Sequence, residues 1–136
     1  MDDPDHPDYG LSCRQASGFG AMVSFKVDTH KRALAVLERV LDENYAVLEA
    51  AVSRMPGVEL VPLESTYLPW LDCRGLGLND DELKRLVEKE AKLWLDMGTM
   101  FGPEGAGFVR VNLASPRAMI EDACSRLERA VTALGE

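Results

Sequence analysis

Residues 105–117 read GAGFVRVNLASPR. Glycines, then apolar and β-branched residues, then Ser-Pro: that order predicts a loop, a strand over 108–114 and a helix start. The strand carries a charge in its middle. Val109 and Val111 share one face of it, and Phe108, Arg110 and Asn112 share the other. A guanidinium in an apolar strand calls for a partner. Two kinds stay open on the residues alone. One is a carboxylate of this chain, Asp72 or Glu64. The other is a ligand carboxylate, which the planar fork of an arginine grips better than a lysine would.

Reading outward, Ser115 is expected to cap the last helix and Pro116 to begin it. Met119, Ile120, Ala123, Leu127, Val131 and Leu134 recur at helical spacing and are expected to face one way. Upstream, residues 96–107 hold four glycines and a proline, a loop that needs unusual backbone angles. Before it, Asn79 and Glu82 have capping-box spacing, and Asp80 and Asp81 suit the positive end of a helix dipole. Leu83, Leu86 and Val87 form that helix's apolar stripe. It is expected to end near Ala91, with a short strand over 93–95.

Two further strands are read at 58–62 and 66–72. Pro69 cannot donate to a ladder, so the second should be bulged or at an edge there. A long helix is expected over 29–55, stopped by Pro56-Gly57, with Leu34, Leu37, Leu41, Tyr45, Leu48, Val52 and Met55 on one face. Asp42 and Asn44 fall on the opposite side. Residues 20–27 read as the first strand and 1–17 as a polar arm, leaving 18–136 as the folded domain. Helices alternating with short strands predict an α/β two-layer domain. Its mixed sheet would have about four or five strands, with helices on one face.

Composition narrows the function. A net charge of −8 argues against nucleic acid or an anionic membrane as partner. No apolar run is long enough to span a bilayer, and the N-terminus lacks signal-peptide regions, so a cytoplasmic location is expected. Cys13, Cys73 and Cys124 are odd in number and widely spaced, as reduced thiols are. His6 and His30 lie near neither each other nor a cysteine pair, so no metal is expected. No serine sits in a G-x-S-x-G elbow. The glycines of 17–20 and 102–107 fit neither phosphate-binding fingerprint. The acidic stretches 80–82 and 88–90 read as solvated helix faces.

The stretches VPLESTYLPWLDCRGLGLNDDEL (61–83) and GTMFGPEGAGFVRVNLASPRAMIEDACSRL (98–127) resemble a known family. It is the C-terminal part of pyridoxal-phosphate enzymes of the class I/II aminotransferase type, most closely the cystathionine β-lyase branch of C–S lyases. The resemblance covers roughly residues 41–136. It implies the small domain of that fold and a substrate-binding set of Arg110, Tyr67 and Asn112. Arg110 would grip the α-carboxylate of an amino-acid substrate. Thr66 and Tyr67 would face the cleft, Phe101 and Gly102 would lie in a loop near it, and Asn112 would shape the strand behind Arg110.

Residues 6–25, HPDYGLSCRQASGFGAMVSF, resemble instead the start of the small domain of cystathionine γ-synthase and γ-lyase type enzymes. The intact enzymes bind pyridoxal 5′-phosphate through a lysine of a large domain. Lys26, Lys31, Lys84, Lys89 and Lys92 lack that lysine's context, so no cofactor is expected on this chain alone. A domain or fragment of a C–S lyase or aminotransferase is the resulting expectation, not catalytic by itself. A separate large-domain chain or a second copy would be its partner. The alternative is a non-catalytic module of the same fold that binds amino acids or a partner.

Overall fold

The computed structural model describes residues 27–135, with side chains from residue 32 onward. The chain divides into two units, residues 1–39 and 40–136, and the account below concerns the second. The expected arm at 1–17, the domain start at 18, the residues resembling the γ-synthase type and the first strand at 20–27 lie outside the described residues. The exception is Val27, which is helical.

Helix α1 spans Val27–Val52, ending three residues before the expected limit. Leu48, Val52 and Met55 are buried as the spacing predicts, with Leu41 and Tyr45 packed at the margin of the core. Asn44 departs from expectation. It is fully buried, not solvated. The buried stripe runs Asn44, Leu48, Ala51, Met55, steps of four, three and four, which turns Asn44 inward. Its amide Nδ2 donates to the carbonyls of Leu113 and Ser115, both at 2.9 Å, which offsets part of the cost of burial, while its Oδ1 has no partner among the described residues.

Four short strands follow: β1 (Glu59–Leu60), β2 (Trp70–Asp72), β3 (Asp96–Met97) and β4 (Phe108–Arg110). Their order in the sheet is β1-β2-β4-β3, and each of these pairings is antiparallel. Trp70 stands opposite Arg110 and Leu71 opposite Val109. Hydrogen bonding outlasts the strands, since Val111 N–H donates to Pro69 C=O and Leu113 N–H to Tyr67 C=O. Pro69 is neither in a bulge nor at an edge. It is buried, immediately before an internal strand, and offers only its carbonyl to the ladder.

The expected strand at 93–95 begins later, at Asp96. Lys92 takes φ 54° and the Leu93 N–H bonds back to the Val87 carbonyl, so the chain is still leaving the helix there.

Helix α2 (Asp80–Arg85) starts at Asn79, and the capping box forms. The Glu82 N–H donates to Asn79 Oδ1 at 3.0 Å, and the Asn79 N–H donates to Glu82 Oε2 at 2.9 Å. Asn79→Ala is expected to cost about 1 kcal/mol in urea unfolding. After Arg85 the helix widens into a π turn, Leu86–Glu90, closed by Ala91 N–H to Leu86 C=O.

Helix α3 spans Arg117–Thr132. Ser115 does not cap it. Pro116 holds the cap position without a side-chain bond, and the Ser115 carbonyl is taken by Asn44. The inward face is Ile120, Cys124, Leu127, Ala130 and Val131, while Met119 and Leu134 are exposed. That rotation leaves the two ends of the expected stripe outside.

Leu71, Val109 and Met97 of the sheet share one core with residues of α1, α2, the π turn and α3. The helices therefore cover one face, and the domain is α/β in two layers, as the sequence predicts, but its described strands pair only antiparallel, not as the mixed sheet expected. The other face carries Trp70, Asp72, Asp96, Phe108 and Arg110.

Candidate functional site

Alternation places these side chains. In β4 the buried residue is Val109, flanked by half-buried Phe108 and Arg110, and β2 repeats the pattern around Leu71. Register then aligns Trp70, Arg110 and Asp96 in one row across three strands. The partner of Arg110 is Asp96, not Asp72 or Glu64. Arg110 Nη2 and Nε donate to the same Asp96 oxygen, Oδ2, at 2.6 and 3.1 Å. Asp72 is occupied by Arg74, whose Nε and Nη2 donate to its two oxygens at 2.9 and 2.6 Å. That ion pair holds the Asp72 carboxyl below the usual carboxylate range.

Aromatic rings wall the Arg110 guanidinium. Its Cζ lies 4.3 Å from the Phe101 ring centre and 5.9 Å from that of Trp70, and the two rings meet edge to face at 5.4 Å. Such rings attract a cation and displace water from it. Phe101 is delivered by the glycine loop. Gly98 and Gly105 approach so closely that a Cβ on either would strike the other's backbone. Gly102, at φ 137°, turns the chain just past Phe101.

Arg110 Nη1 and the outer N–H of Nη2 have no hydrogen-bond partner among the described residues. These two groups form the second edge of the fork, the geometry for a bidentate carboxylate. The side chain is 25% exposed, against 65% for Arg74. Both arginines keep a free edge, but only that of Arg110 sits in a partly dried setting, where charge attracts more strongly.

Tyr67 has an exposed side chain, and its carbonyl accepts from Leu113. Thr66 beside it holds φ 71°, a left-handed angle rare for a β-branched residue. Asn112 turns its Oδ1 to its own chain, accepting from Ala114 N–H at 2.8 Å, and so shapes the exit of β4. The residues missed in the sequence are Asp96 and Trp70. Both become visible only once β3 and β2 are set against β4.

No described lysine lies on a strand. Lys84 pairs with Glu88 along the α2 segment, and Lys92 lines a groove of about 930 Å³ between that segment and α3. Neither described cysteine is a ready nucleophile. Burial pushes the Cys73 thiol up to about 12 and raises that of Cys124. Among the described residues no acidic, histidine and cysteine group has a metal-binding arrangement, and no helix is long and apolar enough to cross a membrane.

No family model matches the chain. It is 32% identical over 126 residues to the cystathionine β-lyase PatB of Bacillus subtilis, covering 87% of this chain and 33% of PatB. Among solved structures it resembles cystalysin from Treponema denticola, which contains a pyridoxal 5′-phosphate cofactor. That match has a TM-score of 0.72 and 25% identity, over 96% of this chain and 36% of cystalysin. A PLP-bound protein of Clostridium difficile 630, described as an aminotransferase, matches with TM-score 0.64 and 34% identity. It covers 76% of this chain and 28% of that one.

The chain thus spans about a third of the length of these proteins. The match to PatB reaches into the first forty residues, and the separate γ-synthase resemblance of residues 6–25 gains no support from these comparisons. In its fold the chain resembles pyridoxal-phosphate-dependent, aminotransferase-fold enzymes, and in its sequence it is similar to the cystathionine β-lyases among them.

Proposed function

We propose that this chain acts as the C-terminal, small-domain part of a pyridoxal-phosphate-dependent C–S lyase or aminotransferase. In that reading Arg110 binds the α-carboxylate of the amino-acid substrate. The observation that carries it is the free edge of Arg110, held in place by Asp96 and walled by Phe101 and Trp70. What favours a ligand there is the drier setting of that edge compared with the likewise paired Arg74. Likeness to the cystathionine β-lyase PatB supports the reaction class, and likeness to cystalysin supports the cofactor.

Pyridoxal phosphate, when bound, supplies the electron sink that makes bonds at an amino acid's α-carbon breakable. Its lysine would come from residues other than those of the described sheet, in a large domain carried by another chain or another part of the same protein. The part of this chain is to fix one end of the substrate. Two parallel N–H···O bonds set both position and orientation, which is how a binding group contributes to rate.

L-Alanine is expected to stabilise the wild-type chain against heat, and Arg110→Ala is expected to lose that shift. Equal shifts in both proteins would contradict the clamp. Added pyridoxal phosphate is expected to give no lysine-dependent absorbance band on the chain alone. A band abolished by replacing one lysine would contradict the assignment of the cofactor lysine to elsewhere.

A further inference from the structure

We infer that the groove between α3 and the segment of α2 and its π turn docks an acidic amphipathic helix of a partner protein. The apolar stripe of that helix would lie on the floor of the groove and its carboxylates on the rims.

The groove, of about 930 Å³, lies in the helical layer, and so on the side of the sheet away from Arg110. Its charge runs against that of the chain. The chain carries a net charge of −8, yet four cations line the groove, Arg85, Lys92, Arg126 and Arg129, against two carboxylates, Glu82 and Glu90. Both rims are basic. Arg85 and Lys92 flank the π turn, and Arg126 and Arg129, one turn apart, stand on α3. The nearby carboxylates leave much of this charge open. Glu82 accepts from the Asn79 N–H in the capping box, Glu90 stands 3.9 Å from Arg85, and Asp122 pairs with Arg126. Lys92 and Arg129 have no carboxylate partner among the described residues; the Arg129 Nε donates to the Ser125 carbonyl at 3.3 Å.

Between the rims the floor is apolar, formed by Leu86, Ala91, Ala130, Ala133 and Leu134. The alanines are small enough for the backbone of a third helix to come near. From Arg126 to Leu134 the α3 wall runs about 13 Å at 1.5 Å per residue, the length of roughly two turns. A small anion would use the cations and leave the floor wet. A nucleic acid would meet the negative charge of the whole chain and have no use for the floor. A helix with an apolar stripe between rows of Asp or Glu uses both.

The test is fluorescence anisotropy of the full chain with a labelled peptide of leucine and glutamate, patterned as an amphipathic helix of about 14 residues. Two control peptides are a scramble of the same composition and a version with lysine in place of glutamate. The acidic helix should bind saturably, more weakly at high salt, and neither control should bind. Lys92→Gln with Arg129→Gln should weaken binding about tenfold. Lys84→Gln with Lys89→Gln, an equal charge change outside the groove lining, should alter it less than about twofold. Ala133→Trp, which fills the floor, should abolish saturable binding, and urea unfolding checks that each variant is folded.

No saturable binding of the acidic helix, equal binding of the scramble, or equal losses from the two double variants would overturn the inference. Displacement by inorganic phosphate or a single-stranded oligonucleotide, with Ala133→Trp binding like wild type, would overturn it in favour of a phosphate site. Sedimentation showing that the peptide splits a dimer of the chain would overturn it in favour of a second copy as the occupant.

Discussion

Leu71→Ala should lower the unfolding free energy by about 2–5 kcal/mol, the largest effect of any single truncation described here. Leu71 has no exposed surface and occupies the middle of β2, opposite Leu60 on one side and Val109 on the other. Truncation removes the apolar surface that joins sheet to helices, and a cavity remains because strands paired on both edges cannot close over it. The measurement is the urea unfolding midpoint of the full chain. Met119→Ala, a comparable truncation at a side chain 62% exposed, should change stability by less than about 0.5 kcal/mol. Similar losses for the two variants would mean that the core does not sit where the sheet and helices meet.

Asn44→Ala should cost about 2–4 kcal/mol, and by a different mechanism. One amide nitrogen serves two carbonyls, those of Leu113 and Ser115, and the first is buried. Removing the donor orphans both, at roughly 1–3 kcal/mol for a buried group and less for a partly buried one. The loss has a direction along the chain. Residues 113–115 link β4, which carries Arg110, to α3, so releasing them should speed amide hydrogen exchange at Leu113 and Ala114 more than in α2. Uniform acceleration across the domain would show that Asn44 contributes only to global stability.

Much of this fold is written locally. The capping box at Asn79 and Glu82 forms as its spacing predicts, because its bonds join residues three apart. The alternation around Val109 places Arg110 away from the core, because side-chain direction in a strand depends on parity alone. Strand pairing across the sheet is not written so. Asp72 lies on β2, which also flanks β4, but the register sets it opposite Phe108, whereas β3 brings Asp96 opposite Arg110.

Asn44 shows a related difficulty. A polar residue in a helix reads as solvated until the two carbonyls that receive it, about seventy residues later, are known. Ser115 was legible as a cap by type. The cap does not form because the helix begins one residue later, with Pro116 at the cap position. For the candidate site, the arginine and its face could be read from sequence. The carboxylate and the ring that complete its walls belong to strands whose neighbours the sequence leaves open.

The most direct measurement is an NMR titration of arginine side-chain nitrogens with L-alanine. Arg74 serves as an internal control, since it too is paired with a carboxylate and lies over a ring, at 4.8 Å from the Phe108 centre, but is far more exposed. The carboxylate-clamp account predicts saturable shifts at Arg110 Nη1 and Nη2, little change at its Asp96-bound Nε, and no saturable change at Arg74. Shifts of equal size at both arginines, or none at Arg110, would contradict it.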